Sequence, residues 1–370
     1  MCVLITPPLG YSTCGQLYNG FSGIAYFYWR LSRSPFFVDS RHQYLDIAAR
    51  CVTTSLKDSN LKKTGPTFFV GATGVHALAS TIYSDMEDEN HAREYANRVI
   101  TECDVPAGQS HELLSGTTGT ISCLLFLLEN VPKKYYDAKR VLDIIQNHCL
   151  AVVRGGKVNF KSYSGYLYGA AHGLVGILFP LMHNTAFIEQ SQYRAIVESS
   201  LNELLTKQTD GIFISHSTSE KANSKFHWCH GSPGTVPALI KGHQLFKSPQ
   251  YLAIAELATE KVWERGIVWK GVNLCHGVCG NTYAFLNMFN YTHNVKYLYY
   301  AYQFCLLAGD AEMQCKFASA TDASRKKVGS PDHPFSLMEG IAGEGCFYLD
   351  MLNPKEAKFP GYAWNDTGRQ

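Results

Sequence analysis

The chain has 370 residues, of which 46% are hydrophobic and 17% charged, and its formal charge is +2. So much apolar content with a charge fraction below the usual ~25% excludes a disordered chain and implies a large interior. The near-neutral balance supplies no field that would select nucleic acid.

The opening Met1-Cys-Val-Leu-Ile-Thr-Pro-Pro8 has no basic start, and prolines break its apolar stretch, so it does not read as a signal peptide. No run of about 18 uninterrupted apolar residues follows, so no transmembrane helix is expected. The 12 cysteines are scattered and form no short-domain disulfide framework, which reads as a reduced, cytoplasmic chain. Peripheral attachment to a membrane is left open.

Along the chain a Gly-x-x-Gly pair recurs seven times, at Gly20, Gly71, Gly116, Gly173, Gly231, Gly277 and Gly340, with starts 45 to 63 residues apart. A unit of that length marks a repeat architecture. Each pair leads into an apolar run, such as Gly23-Ile-Ala-Tyr-Phe-Tyr-Trp29, then a polar break, then an amphipathic run. Tyr44-Leu-Asp-Ile-Ala48, Tyr251-Leu-Ala-Ile-Ala255 and Tyr297-Leu-Tyr-Tyr-Ala301 share the phrase Tyr-Leu-x-x-Ala at the start of such second runs. The others lie at Tyr136–Arg154, where Val141, Ile144, Ile145 and Cys149 keep helical spacing, and at Tyr193–Thr209. Asp85–Asn90 reads as an acidic turn, Gly211–Ser215 as extended, residues 317–334 as a long polar loop holding the basic cluster Arg325-Lys-Lys327, and the chain from Asn353 as a non-periodic tail. The reading is all-α, one closed array of seven helix pairs spanning residues 1–370. The glycines solve the crowding of loops at a common axis. If all inner helices start at one end, their free N–H groups surround one pocket that favours an anion or a thiolate.

Chemistry concentrates in repeats five and six. Cys229 and Cys275 each stand two residues before a repeat's first glycine, and His230 and His276 one before. Equivalent positions in consecutive units should be neighbours, and two cysteines with a histidine form a soft donor set that suits zinc. Three protein ligands leave a fourth corner for water or substrate. Cys279 is a spare candidate, but it lies inside the Gly-x-x-Gly and is expected in the helix. His172 holds the same register in repeat four, where an imidazole can move a proton to or from a substrate carbon. Lys270, and more weakly Lys225, can hold a substrate carboxylate.

These residues carry a resemblance to the LanC-like family, the eukaryotic relatives of bacterial lanthionine cyclases. It rests on Tyr168-Gly-Ala-Ala-His-Gly-Leu-Val-Gly176, His227-Trp-Cys-His-Gly-Ser-Pro-Gly234, Leu274-Cys-His-Gly-Val-Cys-Gly-Asn281 and Pro334-Phe-Ser-Leu-Met-Glu-Gly340. The phrase Leu17–Tyr26 is nearest the third vertebrate paralogue. The resemblance implies an α/α toroid of seven inner and seven outer helices and one zinc ion held by Cys229, Cys275 and His276. It also implies His172 and His230 as catalytic groups, and Lys270 and Arg325 as substrate-binding ones. The implied partners are glutathione and peptides or proteins containing dehydroamino acids, joined as thioethers.

The chain departs from the family pattern where Ala72 replaces an acid, where Thr117 stands for an arginine, and where a family arginine falls at Gly329, with Arg325 close by. Relatives also carry a further N-terminal helical segment before the first repeat. These thinned charges favour a second reading, a non-catalytic zinc-containing adaptor or sensor for glutathione or peptides. A toroidal glycosidase would need a pair of pocket carboxylates, and Glu339 alone stands near a repeat motif.

Overall fold

Every Gly-x-x-Gly pair lies at the start of a helix. The computed structural model describes residues 14–61, 65–106, 108, 110–162, 165–218, 224–320 and 333–367. In chain order the helices are α1 (Phe21–Arg33), α2 (Arg41–Ser55), α3 (Ala72–Asp85), α4 (Glu89–Cys103), α5 (Thr117–Asn130), α6 (Ala138–Val152), α7 (Leu174–Leu181), α8 (Thr185–Ile188), α9 (Ser191–Leu205), α10 (Ser232–Phe246), α11 (Pro249–Arg265), α12 (Val278–Thr292), α13 (Val295–Gly309), α14 (Ala311–Ser319) and α15 (Ile341–Leu352). Two antiparallel ribbons, β1 (Lys161–Ser162) with β2 (Gly165–Tyr166) and β3 (Gln208–Thr209) with β4 (Ile212–Phe213), flank repeat four. The extended reading of Gly211–Ser215 is met by β4. The loop read at 317–334 gives its first residues to α14, and Arg325 and Gly329 lie outside the described residues.

Burial separates two classes of helix. The helices after the glycine pairs are buried nearly all round; in α5 every residue from Thr117 to Leu127 is buried. The second helices bury a single stripe: Ala92, Ala96, Val99 and Cys103 in α4, and Tyr297, Ala301, Phe304 and Ala308 in α13, both at i, i+4, i+7, i+11. A helix apolar all round belongs inside, and a one-striped helix belongs at the surface. The inner helices α1, α3, α5, α7, α10, α12 and α15 touch in that order, and α15 packs back on α1, so the ring closes. The outer helices α2, α4, α6, α9, α11 and α13 each pack on the inner helix that precedes them. This is an α/α toroid.

The recurring loop explains its glycines. At Gly74, Gly176, Gly234, Gly280 and Gly343 a Cβ would collide with the carbonyl oxygen six residues earlier, because the loop folds flat against the first helical turn. The loop also uses the helix amides. Phe21, Thr117, Leu174, Val278 and Ile341 each donate N–H to the carbonyl seven residues back, at 2.9–3.1 Å. The expectation of a bowl of free amides is therefore corrected at these positions: the loop's own carbonyls occupy them. No side chain caps any of the seven inner helices.

The axis of the ring is filled. The non-periodic tail after α15 carries Phe359, Tyr362 and Trp364, all buried, against rings from the inner helices and loops. Phe359 stacks on Trp228 at 4.6 Å and meets Tyr283 at 5.0 Å, and Tyr362 meets Phe179 at 4.8 Å.

Candidate metal centre

A run of backbone hydrogen bonds links the positions two residues before six of the seven first glycines. Cys229 N–H donates to the Cys275 carbonyl (3.1 Å), Cys275 N–H to Met338 (2.8 Å), Met338 N–H to Tyr18 (3.0 Å) and Tyr18 N–H to Phe69 (2.9 Å). Ala171 N–H donates to Cys229 at 3.3 Å. The equivalence inferred from spacing is thus a physical adjacency. It brings Cys229 and Cys275 together, and the donor atoms of Cys229, Cys275 and His276 all lie within 4.8 Å of one another. Both cysteines are buried. The backbone N–H of His276 is held by Asn273 Oδ1 at 3.0 Å, which fixes the loop that presents it. Cys279 lies in α12, fully buried, and is not part of this group.

The electrostatics suit a cation. The neighbouring Cys229 sulfur, then burial, pushes the Cys275 thiol well above its ordinary value, while His276 pulls the other way. Burial lowers His276, but the hydrogen bond and charge of Cys275, with Glu339 beyond, carry it above its ordinary value. Two buried thiols so close together become thiolates when a divalent ion supplies the compensating charge. Buried polar atoms without a partner lie in the same loops: His230 Nδ1, Trp228 Nε1 and Glu339 Oε2.

His172 and His230 stack at 5.5 Å, and His227 and His276 lie 5.9 Å apart. Burial, then the Lys225 charge, lowers His230 to about 4; burial, then neighbouring histidines and lysines, lowers His227 to about 3. Both are neutral imidazoles at neutral pH. His172 Nδ1–H donates to Glu112 Oε2 at 2.8 Å, which leaves Nε2 for the open side; its side chain is 37% exposed. Burial raises Glu112, but the hydrogen bonds from His172 and Ser115 outweigh it and hold the carboxylate below its ordinary range. Lys270 and Lys225 are exposed, and both charges reach His227.

Three residues escaped the sequence reading as site groups. The Tyr18 hydroxyl donates to Cys275 Sγ at 2.6 Å. Tyr18 shares the register of the two cysteines, and that signal was present in the spacing. Glu112, four residues before Gly116, had no such signal. Glu344 joins Glu339 in a cavity of about 160 Å³ lined also by Asn273 and Phe317. Thr117, at the position of a family arginine, is buried, and its hydroxyl pairs with Ser110 and His111.

Comparison with known proteins decides the family. Residues 12–363 match the family described as lanthionine synthetase C-like protein. The chain belongs to this family. A relative from Danio rerio, named Glutathione S-transferase LANCL1, is 30% identical over 364 residues, covering 93% of this chain and 84% of the relative. Among solved structures, Nisin cyclase superposes with a TM-score of 0.66 over 91% of this chain and 88% of its own, at 16% identity. At that identity the likeness concerns the toroid alone. No helix among the described residues is long and apolar enough to cross a membrane.

Proposed function

We propose that this LanC-like toroid holds one zinc ion on Cys229, Cys275 and His276 and activates a thiol for addition to a dehydroamino acid. The convergence of those three donors carries the reading. Tetrahedral zinc with Zn–S near 2.3 Å and Zn–N near 2.0 Å needs donors roughly 3.5–3.8 Å apart, a small tightening of the observed set. When bound, the ion supplies positive charge that lowers the pKa of a thiol at the remaining corner.

The chain's own residues supply the rest. Lys270 and Lys225 hold substrate carboxylates at the exposed rim, a role for which glutathione is the right size and charge. The thiol sulfur forms a bond to the alkene β-carbon, and the α-carbon then takes a proton. His172 Nε2 takes the proton that the incoming thiol releases and returns it to that α-carbon, while Glu112 accepts from Nδ1–H and balances the imidazolium charge. His230, neutral and stacked on His172, keeps the ring oriented and adds no competing charge. The names of the relatives, a glutathione transferase and a peptide cyclase, support a thiol donor and an acceptor in a peptide.

The test mixes purified full-length protein with glutathione and a dehydroalanine peptide. Thioether should form well above the Cys275→Ala background, and His172→Asn should keep glutathione binding while slowing turnover by roughly 10²–10⁴-fold. Thioether no higher than that background ends the catalytic reading. A second reading, a zinc-containing adaptor that binds glutathione or peptides without turnover, draws on Ala72 and on the buried, uncharged Thr117. Binding without product would select it.

A further inference from the structure

Tyr18 stands 257 residues from Cys275 in the chain and touches it only because the ring closes. Its backbone is pinned on both sides, by the Met338 N–H and by its own N–H to Phe69. Its ring packs edge-on against Phe69 at 6.1 Å and 80°. The hydroxyl is thereby aimed at one sulfur of the pair. Cys229 and Cys275 are nearly equal in exposure, at 6% and 4%. Among the described residues, Cys275 is the one that receives a hydroxyl proton.

The geometry points to Tyr18 as a positioning residue that makes the two metal-binding sulfurs unequal: its O–H···S hydrogen bond fixes the Cys275 sulfur and lowers its nucleophilicity relative to Cys229. This rests on the reading of Cys229, Cys275 and His276 as a metal centre. A hydrogen bond draws electron density from a thiolate lone pair, so the sulfur donates less to a metal and attacks an electrophile more slowly. The consequence fits the proposed chemistry. An electrophilic alkene presented here meets resident sulfurs as well as the incoming thiol, and an enzyme whose own ligand attacked the alkene would alkylate itself. Quieting Cys275 removes one of the two resident competitors and leaves Cys229 as the one the incoming sulfur must outpace. Tyrosine suits the task because Phe69 and the backbone run already orient it, so little side-chain freedom is lost in making the bond.

Alkylation tests this with an internal control. The zinc-loaded full chain is treated with iodoacetamide, and modification of Cys275 and Cys229 is followed by peptide mass spectrometry. In the parent, Cys275 should react several-fold more slowly than Cys229. In Tyr18→Phe, Cys275 should speed up on the order of ten-fold while Cys229 holds its rate, because a general loosening of the site would move both. A ratio unchanged by the substitution, with zinc retained, overturns the role of Tyr18 alone. A parent chain that retains no zinc overturns the metal centre and this inference with it. Cobalt substitution gives a second readout: the sulfur-to-cobalt charge-transfer band should move to lower energy in Tyr18→Phe, and an unmoved band counts against the hydrogen bond. If the variant does not fold, the parent decides, since equal rates at nearly equal burial are incompatible with an unequal pair.

Discussion

Repeats five and six and repeats two and three present the same loop to the same axis. In one pair of loops the position two before the first glycine carries Cys229 and Cys275; in the other it carries Phe69 and Leu114, both buried and apolar. The backbone treats Phe69 like the cysteines, for Tyr18 N–H donates to the Phe69 carbonyl much as Cys229 N–H donates to that of Cys275. The difference teaches that the toroid supplies positions and the side chains supply chemistry. One half of the mouth is a donor cluster, and the other half is a continuation of the core.

Exchanging the two kinds of side chain for alanine should separate them. Cys275→Ala should abolish stoichiometric metal binding, read by metal analysis of the purified chain, because two remaining donors make a poor site. Phe69→Ala, at 0% exposure, should leave the donors in place and cost about 3–5 kcal/mol, read by chemical denaturation. Metal lost from Phe69→Ala at a temperature where it is folded would show that the two halves are not independent.

The contrast was partly legible before any coordinates. The Gly-x-x-Gly pairs and the Tyr-Leu-x-x-Ala phrases separate inner from outer helices because burial all round and burial along one stripe leave different residue patterns. Cys229, Cys275, His230 and His276 were legible because repeat register survives folding. Tyr18 was not read, although it keeps the register, because its contact exists only across the seam where the last repeat meets the first. The tail was not legible either. Phe359, Tyr362 and Trp364 sit in no period, and their burial depends on a hole that only the closed ring creates. The free amides failed for a local reason: a loop short enough to need glycine also brings its own carbonyls within reach of the helix start.

A second difference lies in the carboxyls. Glu344, in the first turn of α15 beside Glu339, is pushed up to about 7 by burial. The site half of the ring thus holds a half-buried acid where the first turns of α3 and α5 hold none. Its folded pKa lies above the ordinary 4.5, so the fold keeps a proton that the unfolded chain has released. That contribution is full below about pH 4.5 and is lost as the pH rises toward 7, a decline of up to about 3 kcal/mol. Glu344→Gln should flatten this slope, measured as unfolding free energy between pH 5 and 8. A parent whose stability does not fall over that window, or a variant with the same slope, would show that the cavity hydrates the carboxylate.

The smallest effect belongs to the rim. Lys270 is exposed, so it acts on a ligand through a screened charge. Exposed ion pairs are worth a few tenths of a kcal/mol to about 1 kcal/mol. Lys270→Ala should therefore weaken glutathione binding by roughly two- to five-fold in calorimetry, with metal content unchanged. The weakening should shrink as salt rises, because at about 0.15 M the screening length is already near 8 Å. Lys225→Ala should behave alike, since both lysines act on His227 from the rim. If neither substitution changes affinity at low salt, the carboxylates are not held there, and the charge of the metal centre alone selects the anionic thiol. If both together remove binding, the rim makes up for the uncharged Ala72 and Thr117, and the two halves of the mouth divide the work between sulfur and charge.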